Sequence, residues 1–254
     1  MVVEIGTPMY GGQCFGNYHM SILSLVSELS KRGHGVLFSH TYNESLIQRA
    51  RNTIATRFLI NKRADVLLFI DSDISFNAVK MVDMLEEERD VIGAVTPLKS
   101  INFKSIVQGA IHSRSLDDLN KLGGYFNINT IKGSDIDENV LNGESFEVER
   151  IGTGVMSIKR NVLESLSLKV KSYLDDNPIE TIRDRYDFFP VTIELDEVFG
   201  GNRMMSEDYN FCNLWKNEGG KIYAKTGVVT GHNGFYEYSG DLEKSIMLKK
   251  IANK

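Results

Sequence analysis

VLLFIDSDISF, residues Val66–Phe76, runs through five apolar residues and then breaks on Asp71-Ser72-Asp73. An apolar run without polar alternation reads as a strand buried on both faces, the habit of parallel sheets covered by helices. The flanking sequence agrees. Val2–Thr7 reads as a strand that breaks at Pro8 and Gly11-Gly12. Ile22, Leu25, Val26 and Leu29 recur at helical spacing, and Gly33 and Gly35 end that helix. Val36–His40 reads as a strand, and Ser45–Asn61 as a helix with Ile47, Ile54 and Phe58 on one face. After the central run come a helix over Asn77–Glu87 and a strand over Val91–Thr96 before Pro97. Strands alternating with helices predict an α/β fold on a mixed, mostly parallel sheet flanked by helices. Ligands of such sheets bind beyond the carboxyl ends of the strands, where Asp71 and Asp73 stand.

Beyond Pro97 the periodicity weakens, and residues 100–150 read as short strands and loops. Phe146–Ile151 and Val155–Lys159 read as strands on either side of Gly152-Thr153-Gly154. Residues 167–203 are polar and Asp-rich, which predicts a mobile insertion near the site. Glu207–Glu218 returns to helical spacing, followed by strands at Lys221–Ala224 and Val228–His232. The tail from Asp241 predicts an amphipathic helix on Leu242, Ile246, Leu248 and Ile251. With no internal repeat or linker, one domain is expected over residues 1–240, with a C-terminal helix over 241–254.

The 254 residues are 42% hydrophobic and 25% charged, the balance of a folded globular chain rather than a disordered or collagen-like one. Lys plus Arg number 29 against 34 Asp plus Glu, and the net charge of −5 does not favour nonspecific attraction to nucleic acid or anionic membranes. Two cysteines, Cys14 and Cys212, make no disulfide framework. Met1-Val-Val-Glu-Ile has no signal-peptide pattern, and no apolar run approaches the length of about 20 residues that spans a bilayer. A cytoplasmic protein without a membrane span is expected.

Four places carry chemistry. In extended chain, Asp71 and Asp73 project to the same side, and two close carboxylates repel unless a cation lies between them, so Mg²⁺ or Mn²⁺ is the expected guest. The plain alternative is a polar strand end with Asp73 capping the next helix. Asp208 shares a helix face with Phe211, Cys212 and Trp215, and a carboxylate turned inward there suits a general base. Against this, Ser206 is a good N-cap, and acidic residues in a first turn simply offset the helix dipole. His232, within Gly231-His232-Asn233-Gly234, is either a metal ligand or a surface residue. Arg51 interrupts the apolar stripe of its helix, so its guanidinium reaches a diphosphate or an internal carboxylate, whereas Arg49 is expected in solvent. Thr7-Pro8-Met9-Tyr10-Gly11-Gly12 could hold a nucleobase against Tyr10 or be a tight structural loop. Neither it nor Gly152-Thr153-Gly154 fits the phosphate-loop or GxGxxG patterns.

Four stretches taken in order, LLFIDSDISF (67–76), DVIGAVTPLK (90–99), VERIGTGVMSIKRNVLESL (148–166) and MSEDYNFCNLWKNEGGKIYAKTGVVTGHNG (205–234), resemble the GT-A fold glycosyltransferases, especially the family-2-like enzymes. The resemblance implies a single Rossmann-like GT-A domain. It casts Asp71 and Asp73 as the D-x-D that binds Mn²⁺ or Mg²⁺ and the diphosphate of a nucleotide sugar, with His232 completing the metal site. It makes Asp208, in the pair with Glu207, the catalytic base of an inverting transfer. Thr7, Pro8, Tyr10, Arg51 and Ser72 fall where such enzymes hold the nucleotide, and Gly152, Thr153 and Gly154 line the donor sugar and acceptor. A UDP-sugar is the favoured donor; glycan, protein, lipid carrier, small molecule and modified nucleic-acid base stay open as acceptors. The motif of processive synthases after the acidic pair is absent, which disfavours a polymer-extruding enzyme. Three rivals remain. A retaining glycosyltransferase needs no base at Asp208, and a nucleotidyltransferase would carry a basic loop where Thr7–Gly16 has no basic residue. The third is a sugar-nucleotide or glycan binding module without turnover.

Overall fold

The computed structural model describes residues 1–112, 115–176, 182–196, 200–234, 236 and 238–252. Its centre is an eight-stranded sheet in the order Gly35–Tyr42, Val2–Met9, Val66–Ile70, Val155–Lys159, Val91–Ala94, Ile222–Lys225, Ser145–Ile151, Ile128–Thr130. Tracing the pairings across it, six strands run one way, and Ser145–Ile151 and Val155–Lys159 run against them. The mixed, mostly parallel α/β architecture expected from the sequence is therefore present.

Val66–Ile70 shows why the run is apolar throughout: all five residues are buried. Successive side chains of a strand point to opposite faces. Leu67 and Phe69 enter one core with Ile54, Ala55 and Phe58 of the helix Ile47–Ile60 and with Phe211 and Trp215 of the helix Glu207–Asn217. Val66, Leu68 and Ile70 enter a second core with Leu25 and Leu29 of the helix Gly16–Lys31 and with Met81 and Leu85 of the helix Ala78–Leu85. The helix Ile47–Ile60 is buried over every residue from Ala50 to Thr56, polar ones included, so its polar groups must find partners inside the protein.

Residues 167–203 are less detached than their polarity suggests. Phe188 and Phe189 are fully buried, and Phe189 stacks on Phe211 at 4.8 Å between ring centres and meets Phe69 edge-on at 5.4 Å. Arg185, also fully buried, lies 3.5 Å from Asp175 and donates to the Thr53 hydroxyl. Asn52 donates to Asp187 at 3.0 Å and accepts from the Phe189 backbone N–H. The stretch is thus anchored on the helix Ile47–Ile60, and it carries two hairpins, Ser172–Leu174 with Asp184–Tyr186 and Thr192–Asp196 with Gly201–Met205. Residues 177–181 and 197–199 of the expected insertion lie outside the described residues, as do 253–254 of the tail. The tail helix spans Leu242–Ala252, with Leu248 buried but Ile251 turned to solvent, against its expected place on the apolar face. Among the described residues, no helix is long and apolar enough to cross a membrane.

Candidate active site

Asp71 follows the strand Val66–Ile70 directly, but the chain does not stay extended. The Ile74 N–H donates to the Asp71 carbonyl at 3.0 Å, closing a turn over Asp71-Ser72-Asp73. The expectation that the two carboxylates converge because alternate residues of a strand share a side is therefore corrected. Other segments pin this turn. The Phe15 N–H donates to the Ser72 carbonyl, the Asn233 N–H and side-chain amide both donate to the Asp73 carbonyl, and the Asp71 N–H donates to the Gly154 carbonyl. Asn233 is buried and accepts in turn from Asn17 at 3.2 Å.

The two carboxylates meet different cations. Arg51 reaches Asp71 through two contacts, Nη2 to Oδ2 at 3.1 Å and Nη1 to Oδ1 at 3.0 Å, the second too bent for a hydrogen bond. Its Nε lies 3.5 Å from Glu207 Oε1. Arg51 is buried, so of the two acceptors open to it the internal carboxylate is the one it holds. Burial works against its charge, but Asp71, Glu207 and Asp208 outweigh that and raise its pKa. Burial also pushes Glu207 upward, opposed by the Arg51 charge and reinforced by Asp208. Arg49 is half in solvent, as expected, and holds Glu44.

Asp73 turns the other way. Its Oδ2 lies 2.5 Å from Lys99 Nζ and 3.4 Å from His232 Nε2. Burial would push the Asp73 carboxyl up, yet hydrogen bonds with His232 and Lys99 hold it below the usual carboxylate value. The plain alternative, Asp73 as a helix cap, is not realised, because Asn77 caps the following helix by accepting from the Lys80 N–H. His232 arrives by strand pairing: Thr230–His232 lies against Ile74–Phe76, with His232 opposite Ile74. Its Nδ1 sits 2.8 Å from the Pro97 carbonyl. A carbonyl only accepts, so Nδ1 carries the proton. The hydrogen bond to Asp73 therefore needs a second proton, on Nε2; without it, Nε2 turns a lone pair toward the Asp73 carboxylate. A proton or a cation between them turns this repulsion into attraction, which is the donor chemistry a divalent metal requires. Asp73 and His232 therefore fit such an ion. Among the described residues, though, no group of three or more His, Cys, Asp and Glu side chains is gathered for a metal, and Asp71 is engaged by Arg51.

Asp208 faces the same region from the helix Glu207–Asn217. Ser206 stands at the N-cap, but its hydroxyl donates to Asp208 Oδ1 instead of capping the helix. The Tyr209 N–H donates to the same oxygen at 2.8 Å. Oδ2 is turned to the loop, and a Cβ built on Gly152 would lie 3.5 Å from it. At the other end of Gly152-Thr153-Gly154, a Cβ on Gly154 would lie 3.8 Å from Asp71 Oδ2. A side chain at Gly152 would collide with the Asn127 amide, whereas one at Gly154 would meet only ordinary van der Waals contacts at its Cβ. Thr153 is buried, and its hydroxyl has no hydrogen-bond partner among the described residues. The thiol of Cys212, buried beneath Ile151, is pushed up to about 12, which removes it as a nucleophile.

The expected nucleotide segment divides. Pro8 and Tyr10 line a cavity of about 210 Å³ with Glu44, Ser45 and Ile47 on one side and Asp71-Ser72-Asp73 on the other. Tyr10 is 74% exposed there. Thr7 is fully buried and shares a 2.7 Å hydrogen bond with the Tyr18 hydroxyl, so it does not line this cavity. A second cavity, of about 220 Å³, lies among Gly109, Leu122 and Leu248 and shares no residue with the site.

Three residues of the site were not singled out by the sequence. Lys99 stood in the quoted stretch 90–99 without a role, and Asn233 stood beside His232. Asn127 has no sequence signal at all. Its Oδ1 accepts from the Tyr209 hydroxyl at 2.8 Å, and its amide nitrogen lies 2.3 Å from where a Gly152 Cβ would stand.

No family model matches the chain, and no curated protein matches it. Among solved structures, A197 from STIV is 17% identical over 95% of both chains, with a TM-score of 0.49. A glycosyltransferase involved in the glycosylation of the major capsid of PBCV-1 is 10% identical over 66% of this chain and 64% of its own, with a TM-score of 0.32. Likenesses at these scores carry no assignment of function.

Proposed function

We propose that this protein is a metal-dependent glycosyltransferase that moves a sugar from a nucleoside-diphosphate donor to an acceptor hydroxyl with inversion. The observation that carries the reading is the glycine-bracketed loop 152–154, with the Asp71 carboxylate against one end and the Asp208 carboxylate against the other. A reacting sugar needs leaving-group stabilisation on one face and a base on the opposite face; Asp208 stands at one end of the loop as the base, and the turn Asp71-Ser72-Asp73 at the other end carries Asp73, beside His232, for the leaving group.

Asp208 is the base. Ser206 and the Tyr209 N–H fix Oδ1, so Oδ2 is presented to the loop in one orientation. It takes the proton of the acceptor hydroxyl as that oxygen attacks the anomeric carbon and the bond to the diphosphate breaks. Glu207 is a positioning residue: its ion pair with Arg51 ties the start of this helix to Asp71 at the strand end. Asp73 and His232 would hold Mn²⁺ or Mg²⁺, which supplies Lewis-acid neutralisation of the departing diphosphate. The 210 Å³ cavity beside Tyr10 is smaller than the about 300–1,000 Å³ of whole-ligand pockets, so it suits the nucleoside portion of the donor.

A thermal-shift panel of UDP, GDP, CDP and dTDP, each with Mn²⁺, Mg²⁺ or a chelator, tests the reading. Ligand at 100 times its dissociation constant stabilises by about 2.7 kcal/mol. At about 2–4 °C per kcal/mol for a chain of this size, the expected rise is roughly 5–11 °C, for UDP first and only with metal. Absence of a shift with all four nucleotides overturns the donor assignment. The base is tested separately. Asp208→Asn should keep the nucleotide shift and lose transfer, and near-wild-type turnover would remove Asp208 from the mechanism.

A further inference from the structure

Lys99 stands at Asp73, and the glycosyl-transfer mechanism gives it no task. It stands on the strand Pro97–Ile101, and its aliphatic stem runs past Gly234, where a Cβ would lie 3.6 and 3.8 Å from its Cδ and Cε. Its ammonium ends on Asp73 Oδ2, the same oxygen that His232 Nε2 approaches. The Lys99 side chain is 41% exposed, so it can leave without disturbing the core. An ammonium is a compact point charge on a flexible stem, held by little beyond its partner carboxylate. A divalent ion and an ammonium cannot occupy one carboxylate oxygen together, because like charges at contact distance repel strongly.

We propose that Lys99 is a built-in competitor for the cation position at Asp73 and His232. Its ammonium neutralises Asp73 and excludes a divalent metal that arrives alone, and metal enters by displacing it. The inference rests on the reading that Asp73 and His232 take a divalent metal. Arg51 does not share this behaviour, since it is buried and bound to two carboxylates at once. The two aspartates of the turn therefore differ: Asp71 is permanently paired, and Asp73 is exchangeable.

The test is Mn²⁺ binding to the whole protein without nucleotide, followed by the loss of the free Mn²⁺ signal in electron paramagnetic resonance. Lys99→Met should bind Mn²⁺ at least tenfold more tightly than the wild type, and Lys99→Arg, which keeps the charge, should not. Lys80→Met removes one positive charge from an exposed lysine paired with Asp83 and should leave the affinity unchanged. Asp73→Asn, alone or with Lys99→Met, should abolish the tight binding. Thermal unfolding of each variant confirms that it is folded. Equal affinities for Lys99→Met and wild type, with binding still lost in Asp73→Asn, would overturn the role of Lys99 and leave the metal site standing. An equal gain in Lys80→Met would likewise overturn it, by reducing the effect to net charge. Failure of Asp73→Asn to weaken Mn²⁺ binding in the Lys99→Met background would overturn the metal site and this inference together.

Discussion

Replacing Arg51 by Met keeps the length of the side chain in its buried slot and removes the charge that Asp71 and Glu207 share. The Arg51 side chain is 4% exposed, against 27% for that of Asp71 and 14% for Glu207. Removing one partner of a buried ion pair costs about 3–5 kcal/mol, because the charge left behind has neither water nor a counterion. Solvent reaches Asp71 in part, so the lower end applies, about 3 kcal/mol. At about 2–4 °C per kcal/mol this lowers Tm by roughly 6–12 °C. Urea unfolding followed by the fluorescence of Trp215 measures it, since that side chain sits in the same core as Phe69 and Phe211. Adding Glu207→Gln to Arg51→Met should recover about 1 kcal/mol or more, because the amide removes one of the stranded charges. A single variant within about 0.5 kcal/mol of wild type, the range of neutral surface changes, would refute the clamp. Arg51 would then be available to the diphosphate, the alternative its place in the helix stripe left open.

Two further changes test the surroundings of the site. Gly220→Ala places a Cβ 2.1–2.5 Å from three Trp215 indole atoms, so it should destabilise by about 1–3 kcal/mol, read by urea unfolding; wild-type stability would mean that the indole can move aside. Asp73 has a carboxyl held below its ordinary value of 3.8, so its ion pairs stabilise the fold above that pH and are lost as the pH falls through the folded value. The unfolding free energies of wild type and Asp73→Asn should therefore converge as the pH falls below 3.8 and through the lowered folded value. A gap that stays constant over that window would mean that the Lys99 and His232 contacts do not stabilise the charged form.

The elements that position the site were legible because they follow from short-range rules. Val66–Ile70 had to be a doubly buried strand, since five apolar residues at a two-residue period cover both faces, and the two cores divide them accordingly. The helix carrying Arg51 was legible from its stripe, and so was the need of that guanidinium for an acceptor. Residues 167–203 misled for the opposite reason: polar composition hid Phe188, Phe189 and Arg185, whose burial depends on the helix beneath them.

What the sequence determined by itself was the order of strands and helices up to Thr96 and the arrival of two aspartates at the end of a central strand; residues 100–150, read as short strands and loops, also hold the helices Phe103–Ala110, Leu116–Leu122 and Asp137–Asn142, too short to show a helical period. Tertiary structure decided what those aspartates meet. A hydrogen-bonded turn, pinned by Phe15, Gly154 and Asn233, separates the directions of Asp71 and Asp73 and gives one to Arg51 and the other to Lys99 and His232. His232 follows Asp73 by 159 positions, and the two meet because Thr230–His232 pairs with Ile74–Phe76. Periodicity reports on neighbours along one strand or helix. Contacts between segments this far apart are set by sheet register and helix packing, which no local pattern encodes.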